Sequence, residues 1–399
     1  MKSGYRRPQF DTILKRLNEP RRFIQILFGP RQVGKTTLIE QALDQINGPF
    51  VFASADTEAR ADGLWITQQW GWARLKAEQT PECRVVLVLD EIQKVGNWSE
   101  TVKREWDHDS RTNHNIHVVL LGSSSLLIQK GLTESLAGRF ELIRIPHWSY
   151  GEMNAAFGIS LDQYIFFGGY PGAVDLLSTE SRWKQYVRDA LIEPAITKDV
   201  LLMTRVDKPA LLRQLFHLGT VGSGKIISYT KLLGQLQDVG NTTTLAHYLD
   251  LLSTAGLLCG LQKFTASAIR TRGSSPKFQV YNSALISALS PESFEEARNA
   301  PDLWGRYFES SIGAYLANAA FENGLNLTYW RDGNNEVDFI FSRESRSIAI
   351  EVKSGRKRDT LSGMTRFAEQ FNPHRTLVVG SHGMPLDEFF ATPANALLQ

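Results

Sequence analysis

The sequence predicts an α/β protein of several domains, and three observations carry that expectation. A glycine-rich loop ending in Gly34-Lys35-Thr36 lies between an apolar run and a helical stretch. A second continuous apolar run, Val85–Leu89, ends in the acidic pair Asp90-Glu91. Toward the C-terminus a helical pattern is followed by three strand-like runs, another helix and a last strand. At 399 residues the chain is too long for one ordinary domain, so two or three are expected.

The loop Gly29-Pro30-Arg31-Gln32-Val33-Gly34-Lys35-Thr36 is a full match to G-x-x-x-x-G-K-[ST]. Phe23–Phe28 ahead of it reads as a buried strand, and Thr36–Leu43 behind it as a helix. A loop in that context points backbone N–H groups and a helix N-terminus at an anion. Gly29 and Gly34 permit the backbone angles and the close approach. Lys35 is expected to neutralise the β- and γ-phosphates of ATP, Thr36 to hold Mg²⁺, and Thr37 to extend the cradle. Val85–Leu89 reads as a central parallel strand. After a phosphate loop, its terminal Asp90 is expected in the Mg²⁺ shell beside Thr36, and Glu91 as the group that polarises the attacking water. Alone, such a pair is also an ordinary helix start.

Val118–Leu121 reads as the next buried strand and runs into Gly122-Ser123-Ser124-Ser125. Ser123, at the C-terminal edge of the sheet, is a candidate for sensing the γ-phosphate or positioning water, and a helix cap is the plainer reading. Ser135-Leu136-Ala137-Gly138-Arg139 then precedes the strand Glu141–Ile145. Arg139 stands where ring-forming ATPases place an arginine finger that reaches a neighbour's γ-phosphate, or it is a surface arginine.

The runs Gly-Pro-Arg-Gln-Val-Gly-Lys-Thr-Thr, Leu-Asp-Glu-Ile-Gln-Lys-Val and Ser-Leu-Ala-Gly-Arg resemble the prokaryotic AAA+ ATPases with a C-terminal domain of unknown function 4143, themselves similar to archaeal ATPases of the AAA+ class. The likeness spans nearly the whole chain. Phe28 precedes Gly29 where that family often has threonine. The resulting expectation is a P-loop AAA+ core at 1–155, a helical lid at 156–217, a winged helix-turn-helix at 218–290 and a nuclease-like domain of the PD-(D/E)xK type at 291–399.

Phe167-Gly168-Gly169-Tyr170-Pro171-Gly172 resembles the family's Gly-Gly-aromatic-Pro element, which implies a tight turn setting lid helices over the base and ribose; a plain turn between helices is the alternative. Leu161–His217 is helical in pattern. Ile227–Leu233 reads as a short helix. Thr242 is placed to cap a second one with Leu245, Leu249 and Leu252 on one face, and Leu257–Leu261 and Lys277–Tyr281 read as a wing. The usual meaning is DNA binding. The second helix carries Thr243, Thr244, His247 and Asp250 but no Lys or Arg, so the expected backbone contacts fall to the wing residues Lys263, Arg270, Arg272 and Lys277. A structural or oligomer-forming role fits the same residues.

In the C-terminal part, Asp302–Phe321, Asn326–Trp330, Glu336–Phe341, Ser347–Val352, Thr360–Phe371 and Arg375–Val379 give the order αβββαβ, which resembles the restriction-endonuclease-like fold. Asp338 lies on one strand, and Glu351 and Lys353, two apart on the next, share a face. The expectation is Mg²⁺ on Asp338 and Glu351, Lys353 as water activator or charge stabiliser, and Glu309 completing the cluster. Ordinary solvated charge, or a nuclease-like domain that binds without cutting, are the rival readings. Lys353, Arg356, Lys357 and Arg358 form a basic patch suited to phosphates.

A hydrophobic share of 42% and a net charge of +2 describe a globular protein whose nucleic-acid contacts must come from local patches. Cys83 and Cys259 form no metal pattern and are expected as reduced thiols in a cytoplasmic protein. The N-terminus is basic without a following apolar segment, and no run is long enough to span a bilayer, so no membrane partner is expected. Together these readings give an ATP- and Mg²⁺-dependent AAA+ ATPase acting on DNA as a motor or remodeller in recombination, repair or defence, branched and single-stranded DNA being candidate substrates. Its copies are expected in a homo-oligomeric ring, of which a hexamer is one form. The alternatives are an ATP-gated metal-dependent nuclease and a nucleotide-controlled oligomeric switch.

Overall fold

The computed structural model describes residues 4–57, 61–80, 84–122, 135–201, 205–236, 241–265, 274–355 and 361–398. Ser123, Cys83, Arg270, Arg272, Arg356, Lys357 and Arg358 lie outside them. The chain divides into two compact units, Ser3–Ile145 and Pro146–Gln399.

In the first unit five parallel strands, β1 (Ile24–Phe28), β2 (Phe50–Ser54), β3 (Val85–Asp90), β4 (Ile116–Gly122) and β5 (Phe140–Arg144), lie in the order β2-β3-β4-β1-β5. Every residue of β1, β3 and β4 is buried. Their largely apolar runs, interrupted by Gln25 in β1 and His117 in β4, follow from coverage on both faces. Alternate residues sort between the two layers, as a period of two requires. Leu27, Val86, Val88 and Val119 pack with Phe10, Ile13 and Leu17 of α1 (Gln9–Asn18) and Leu38 and Ile39 of α2 (Lys35–Leu43). Ile26, Leu87, Leu89 and Val118 pack with Trp65 and Trp70 of α3 (Gly63–Gln79) and Trp98 and Trp106 of α4 (Trp98–Thr112). The two outer helices are also joined by charge. Asp109, wholly buried on α4, accepts from Trp70 Nε1 at 2.6 Å and from Arg74 Nε at 2.7 Å, while Arg74 Nη1 reaches Glu105 at 2.9 Å. The strand order reverses beside β1, and such a reversal opens a crevice at the carboxyl ends of the strands.

The second unit opens with helices Tyr150–Phe157 and Leu161–Phe167, each started by a reciprocal capping box, Ser149 with Glu152 and Ser160 with Gln163. Gly168 then takes φ 67°, ψ −159°, a region open to glycine, and a Cβ there would stand 1.9 Å from Asn282 Oδ1. That same oxygen accepts from Gly169 N–H at 3.0 Å. Contacts inside the unit therefore account for the glycine pair. Helices Pro209–Val221, Tyr229–Leu233 and Thr242–Thr254 lead into the antiparallel hairpin of β6 (Leu258–Lys263) and β7 (Lys277–Val280). Leu245, Leu249 and Leu252 are buried as their spacing demands. Asn241 caps this last helix in place of the expected Thr242, because its side-chain oxygen reaches Thr244 N–H at 2.7 Å.

Helix Pro301–Asn323, strands β8 (Asn326–Asp332), β9 (Asn335–Arg343) and β10 (Arg346–Lys353), helix Ser362–Phe371 and strand β11 (Arg375–Gly380) follow in the order expected for the C-terminal segment. β8, β9 and β10 are antiparallel neighbours, and β11 runs parallel to β10. The hairpin joins the same sheet, whose order is β11-β10-β9-β8-β6-β7. β6 pairs parallel with β8 at Gln262–Thr328 and Lys263–Tyr329, and Phe264 continues the strand into edge-on contact with Phe367 and Phe371. Among the described residues no helix is long and apolar enough to cross a membrane.

Candidate nucleotide site and carboxylate cluster

β1 delivers the chain at Phe28 into the phosphate loop, and the two glycines of the loop are there for different reasons. A Cβ on Gly29 would lie 2.0 Å from the carbonyl oxygen of Ile145, whose N–H donates to Phe28 O at 2.9 Å. Gly34 instead holds φ 86° at the start of α2 and has open space where a Cβ would sit. Gln32, two residues earlier, is also left-handed at φ 61°. Backbone of this kind forms a concavity that suits anions, at the positive end of a helix. Lys35 is buried there, its Nζ 2.9 Å from Gly29 O and 2.7 Å from Pro30 O, so the ammonium is held against the loop's own carbonyls. Pro30, Arg31, Gln32 and Val33 complete the loop, and Thr36 and Thr37 lie in the first turn of α2.

Thr36 Oγ1 donates to Asp90 Oδ2 at 3.2 Å, bringing together the ends of two segments 54 residues apart in sequence. The second Asp90 oxygen accepts from Glu91 N–H at 2.9 Å. Burial raises the Asp90 pKa and the Glu91 charge adds to that, against the hydrogen bonds from Glu91 N–H and Thr36 and the Lys35 charge. A hydroxyl and a buried carboxylate are hard oxygen donors, and a carboxylate strained this way is relieved by a cation, so the set fits Mg²⁺. Glu91 turns out of the strand with φ 53° and accepts from Gln93 Nε2 at 2.6 Å. Arg139 makes a two-pronged ion pair with Asp107 of α4, at 2.7 and 3.1 Å, and is partly exposed.

The loop has a brace the sequence did not disclose. Arg7, almost wholly buried, donates from Nη1 to Val33 O at 2.9 Å, and Gln41 of α2 donates to Tyr5 O at 3.0 Å. The segment before α1 thus fixes both the loop and the helix behind it. An arginine in a basic N-terminus gives no signal of such a role.

In the second unit two of the three carboxylates expected to gather, Glu309 and Asp338, meet at a lysine, while Glu351 does not contact it. Lys277, at the start of β7, has no exposed surface. Its Nζ lies 2.8 Å from Glu309 Oε1, 3.2 Å from Asp338 Oδ1 and 3.9 Å from Glu336 Oε1. Burial by itself would lower the lysine pKa, but Asp338, Glu309 and Glu336 outweigh it and raise the pKa above the usual lysine range. Asp338 Oδ2 accepts from Val352 N–H at 2.8 Å, which aligns β9 with β10. Glu351 and Lys353 share one face of β10 and pair with each other at 2.9 Å. Burial, then the Asp338 charge, pushes the Glu351 carboxyl up to about 7. The Glu351 Oε2 atom is buried without a hydrogen-bond partner among the described residues. Among those residues no three His, Cys, Asp or Glu side chains are placed to hold one metal ion. A metal therefore does not fit this cluster as it stands, since the ammonium already lies between Asp338 and Glu309. The expectation that Lys277 faces nucleic acid from the wing is corrected for the same reason: all four residues of β7 are buried. Glu336 was not foreseen either, although its place two residues before Asp338 on a strand puts it on the same face.

The geometry agrees with what the chain is similar to. Residues 21–154 match a family of AAA domains, residues 159–296 a domain of unknown function (DUF8612) and residues 304–397 a domain of unknown function (DUF4143). An uncharacterized protein of Mycobacterium tuberculosis is 24% identical over 389 residues, covering 94% of this chain and 81% of its own. One of Haemophilus influenzae is 20% identical over 350 residues, covering 83% and 82%, and one of Methanocaldococcus jannaschii is 24% identical over 346 residues, covering 82% and 73%. Among solved structures, a Walker-type ATPase of Pyrococcus abyssi is 12% identical with a TM-score of 0.46, over 71% of this chain and 95% of that one. The Thermotoga maritima RuvB Holliday junction branch migration motor is 16% identical with a TM-score of 0.32, over 63% and 85%. The segment that matches the AAA-domain family holds the phosphate loop, Thr36, Asp90 and Glu91, and the segment that matches DUF4143 holds Glu309, Glu336, Asp338, Glu351 and Lys353.

Proposed function

We propose that this chain hydrolyses ATP and uses the cycle to act on DNA, as an oligomer in the cytoplasm. The observation that carries the reading is the convergence of Lys35, Thr36, Asp90 and Glu91 at the carboxyl ends of β1 and β3, with Thr36 and Asp90 in hydrogen-bond contact. Lys35 exchanges its loop carbonyls for phosphate oxygens and neutralises them. Asp90 and Thr36 hold Mg²⁺, which when bound withdraws charge from the phosphates. Glu91 orients the water and receives its proton. Ser123 is the proposed contact for the γ-phosphate. Arg139 would leave Asp107 to reach the site of a neighbouring copy, where an arginine stabilises transition-state charge.

The test is ATP turnover in Lys35→Ala and Glu91→Gln. Both are expected to lose it, Lys35→Ala with binding and Glu91→Gln with binding retained. Wild-type turnover in both variants would falsify the site. The DNA part rests on the three helices and hairpin of residues 209–280. A gel-shift series at low salt with single-stranded, duplex and branched DNA tests it, and absence of any shift removes it. One observation favours the second reading, a nucleotide-controlled oligomeric switch: Thr242, Thr243, His247 and Asp250 form the exposed side of helix Thr242–Thr254, without a cation. An ATP-dependent change in molecular mass without any DNA shift would establish it.

A further inference from the structure

The cluster of Glu309, Glu336 and Asp338 poses a physical problem of its own. Three carboxylates lie within 3.9 Å of one atom, and charges gathered like this are stable only beside a cation or with protons on their members. From the sequence, Mg²⁺ is expected on Asp338 and Glu351, with Glu309 beside them. The structure offers Lys277, which arrives from a different part of the fold. Its side chain is wholly buried, its Nζ touches Glu309 and Asp338 directly and faces Glu336, and it also lies 3.3 Å from the main-chain oxygen of Asp338. The Phe339 ring, 4.7 Å from Nζ, closes another side with the face of an aromatic, which favours a cation.

We propose that the Lys277 ammonium occupies the cation position of this cluster permanently, so that the group fastens the β6–β7 hairpin to the C-terminal sheet and does not bind a metal for phosphodiester cleavage. Two further features point the same way. Lys353, the residue expected to serve a hydrolytic water, is spent on Glu351 at 2.9 Å. Asp338 gives one oxygen to Lys277 and the other to Val352 N–H, so the oxygen not held by the backbone already faces a cation. Because the lysine and the acids come from β7, from helix Pro301–Asn323 and from β9, the ion group joins elements of which β7 precedes the others by more than a helix in sequence.

The test uses the full chain without nucleotide, with Mn²⁺ alone as the probe, so it stands apart from the ATPase reading. Wild-type protein and Asp338→Asn are expected to bind the same amount of Mn²⁺ by calorimetry and electron paramagnetic resonance. Lys277→Met is expected to melt roughly 6–20 °C lower, as for a buried pair with one partner removed. Mn²⁺ should restore part of that loss, and the restoration should vanish in Lys277→Met with Asp338→Asn. Mn²⁺ binding in the wild type that Asp338→Asn abolishes would overturn the proposal. So would Mg²⁺-dependent DNA cleavage lost in Asp338→Asn, a Lys277→Met protein that melts like the wild type, or one whose lowered melting Mn²⁺ leaves unchanged. Should Lys277→Met fail to fold, the comparison of wild type with Asp338→Asn decides alone.

Discussion

Gly29→Ala gives the sharpest test of how the phosphate loop is seated. The new Cβ would start 2.0 Å from Ile145 O, whereas close carbon–oxygen contacts settle at about 3.3 Å, so loop and strand end must part by roughly 1.3 Å. Neither partner yields easily, because Ile145 N–H is bonded to Phe28 O at 2.9 Å. Overpacking costs about 1–3 kcal/mol and a weakened hydrogen bond about 1 kcal/mol more. For a unit of this size that lowers the melting temperature by roughly 5–15 °C. A displacement of this order at reacting groups also costs about 100-fold in turnover. Gly34→Ala is the control. Its Cβ meets nothing, and only the left-handed φ of 86° is penalised, at about 1–2 kcal/mol. The assay pairs thermal unfolding with binding of a fluorescent ATP analogue for both variants. If Gly29→Ala melts at or above Gly34→Ala, the reasoning about Ile145 is refuted.

Asp109→Ala should cost about 3–5 kcal/mol in chemical denaturation, followed by tryptophan fluorescence, since Trp70 and Arg74 lose a wholly buried acceptor. His117, pushed down to about 4 by burial and then by Arg84 and Arg21, stays neutral in the fold; the unfolded chain takes up the proton near 6.5. Stability is therefore lost as pH falls from about 6.5 to 4, on the order of 3 kcal/mol, and His117→Gln should flatten that slope in melting curves. Glu351 works in the opposite sense. Its carboxyl is protonated in the fold up to about 7 but ionises near 4.5 when unfolded, so stability falls as pH rises between those values. Glu351→Gln should remove that decline, and an unaltered profile would show that the carboxyl is solvated.

Local patterns told most about the parts of this chain that are themselves local. The phosphate loop, the strand ending in Asp90 and the helix after Gly34 were legible because each is a run of neighbours whose period or spacing has one cheap solution. The order of elements after Pro301 was legible for the same reason. What stayed hidden involves distant partners. Arg7 meets Val33 across 26 residues, and nothing in a basic N-terminus says so. Lys277 read as one more cation on a wing, because a lysine is normally solvated; only the pairing of β7 inside the sheet takes it to Glu309 and Asp338. Asn241 and Thr242 are both good caps, and backbone geometry alone chose between them. Ser123 lies outside the described residues, and the proposed role of Arg139 concerns another copy.

The six-stranded sheet has a consequence for modularity. Sequence similarity draws a border in this chain between residues 296 and 304. The hydrogen bonds between β6 and β8 and the ion group around Lys277 cross that border. A gene fragment cut there would leave β8 with an open edge and Glu309, Glu336 and Asp338 with no counter-charge. Each segment alone thus lacks one side of the β6–β8 pairing and of the ion group, and the sheet and its charge balance are completed by the two together.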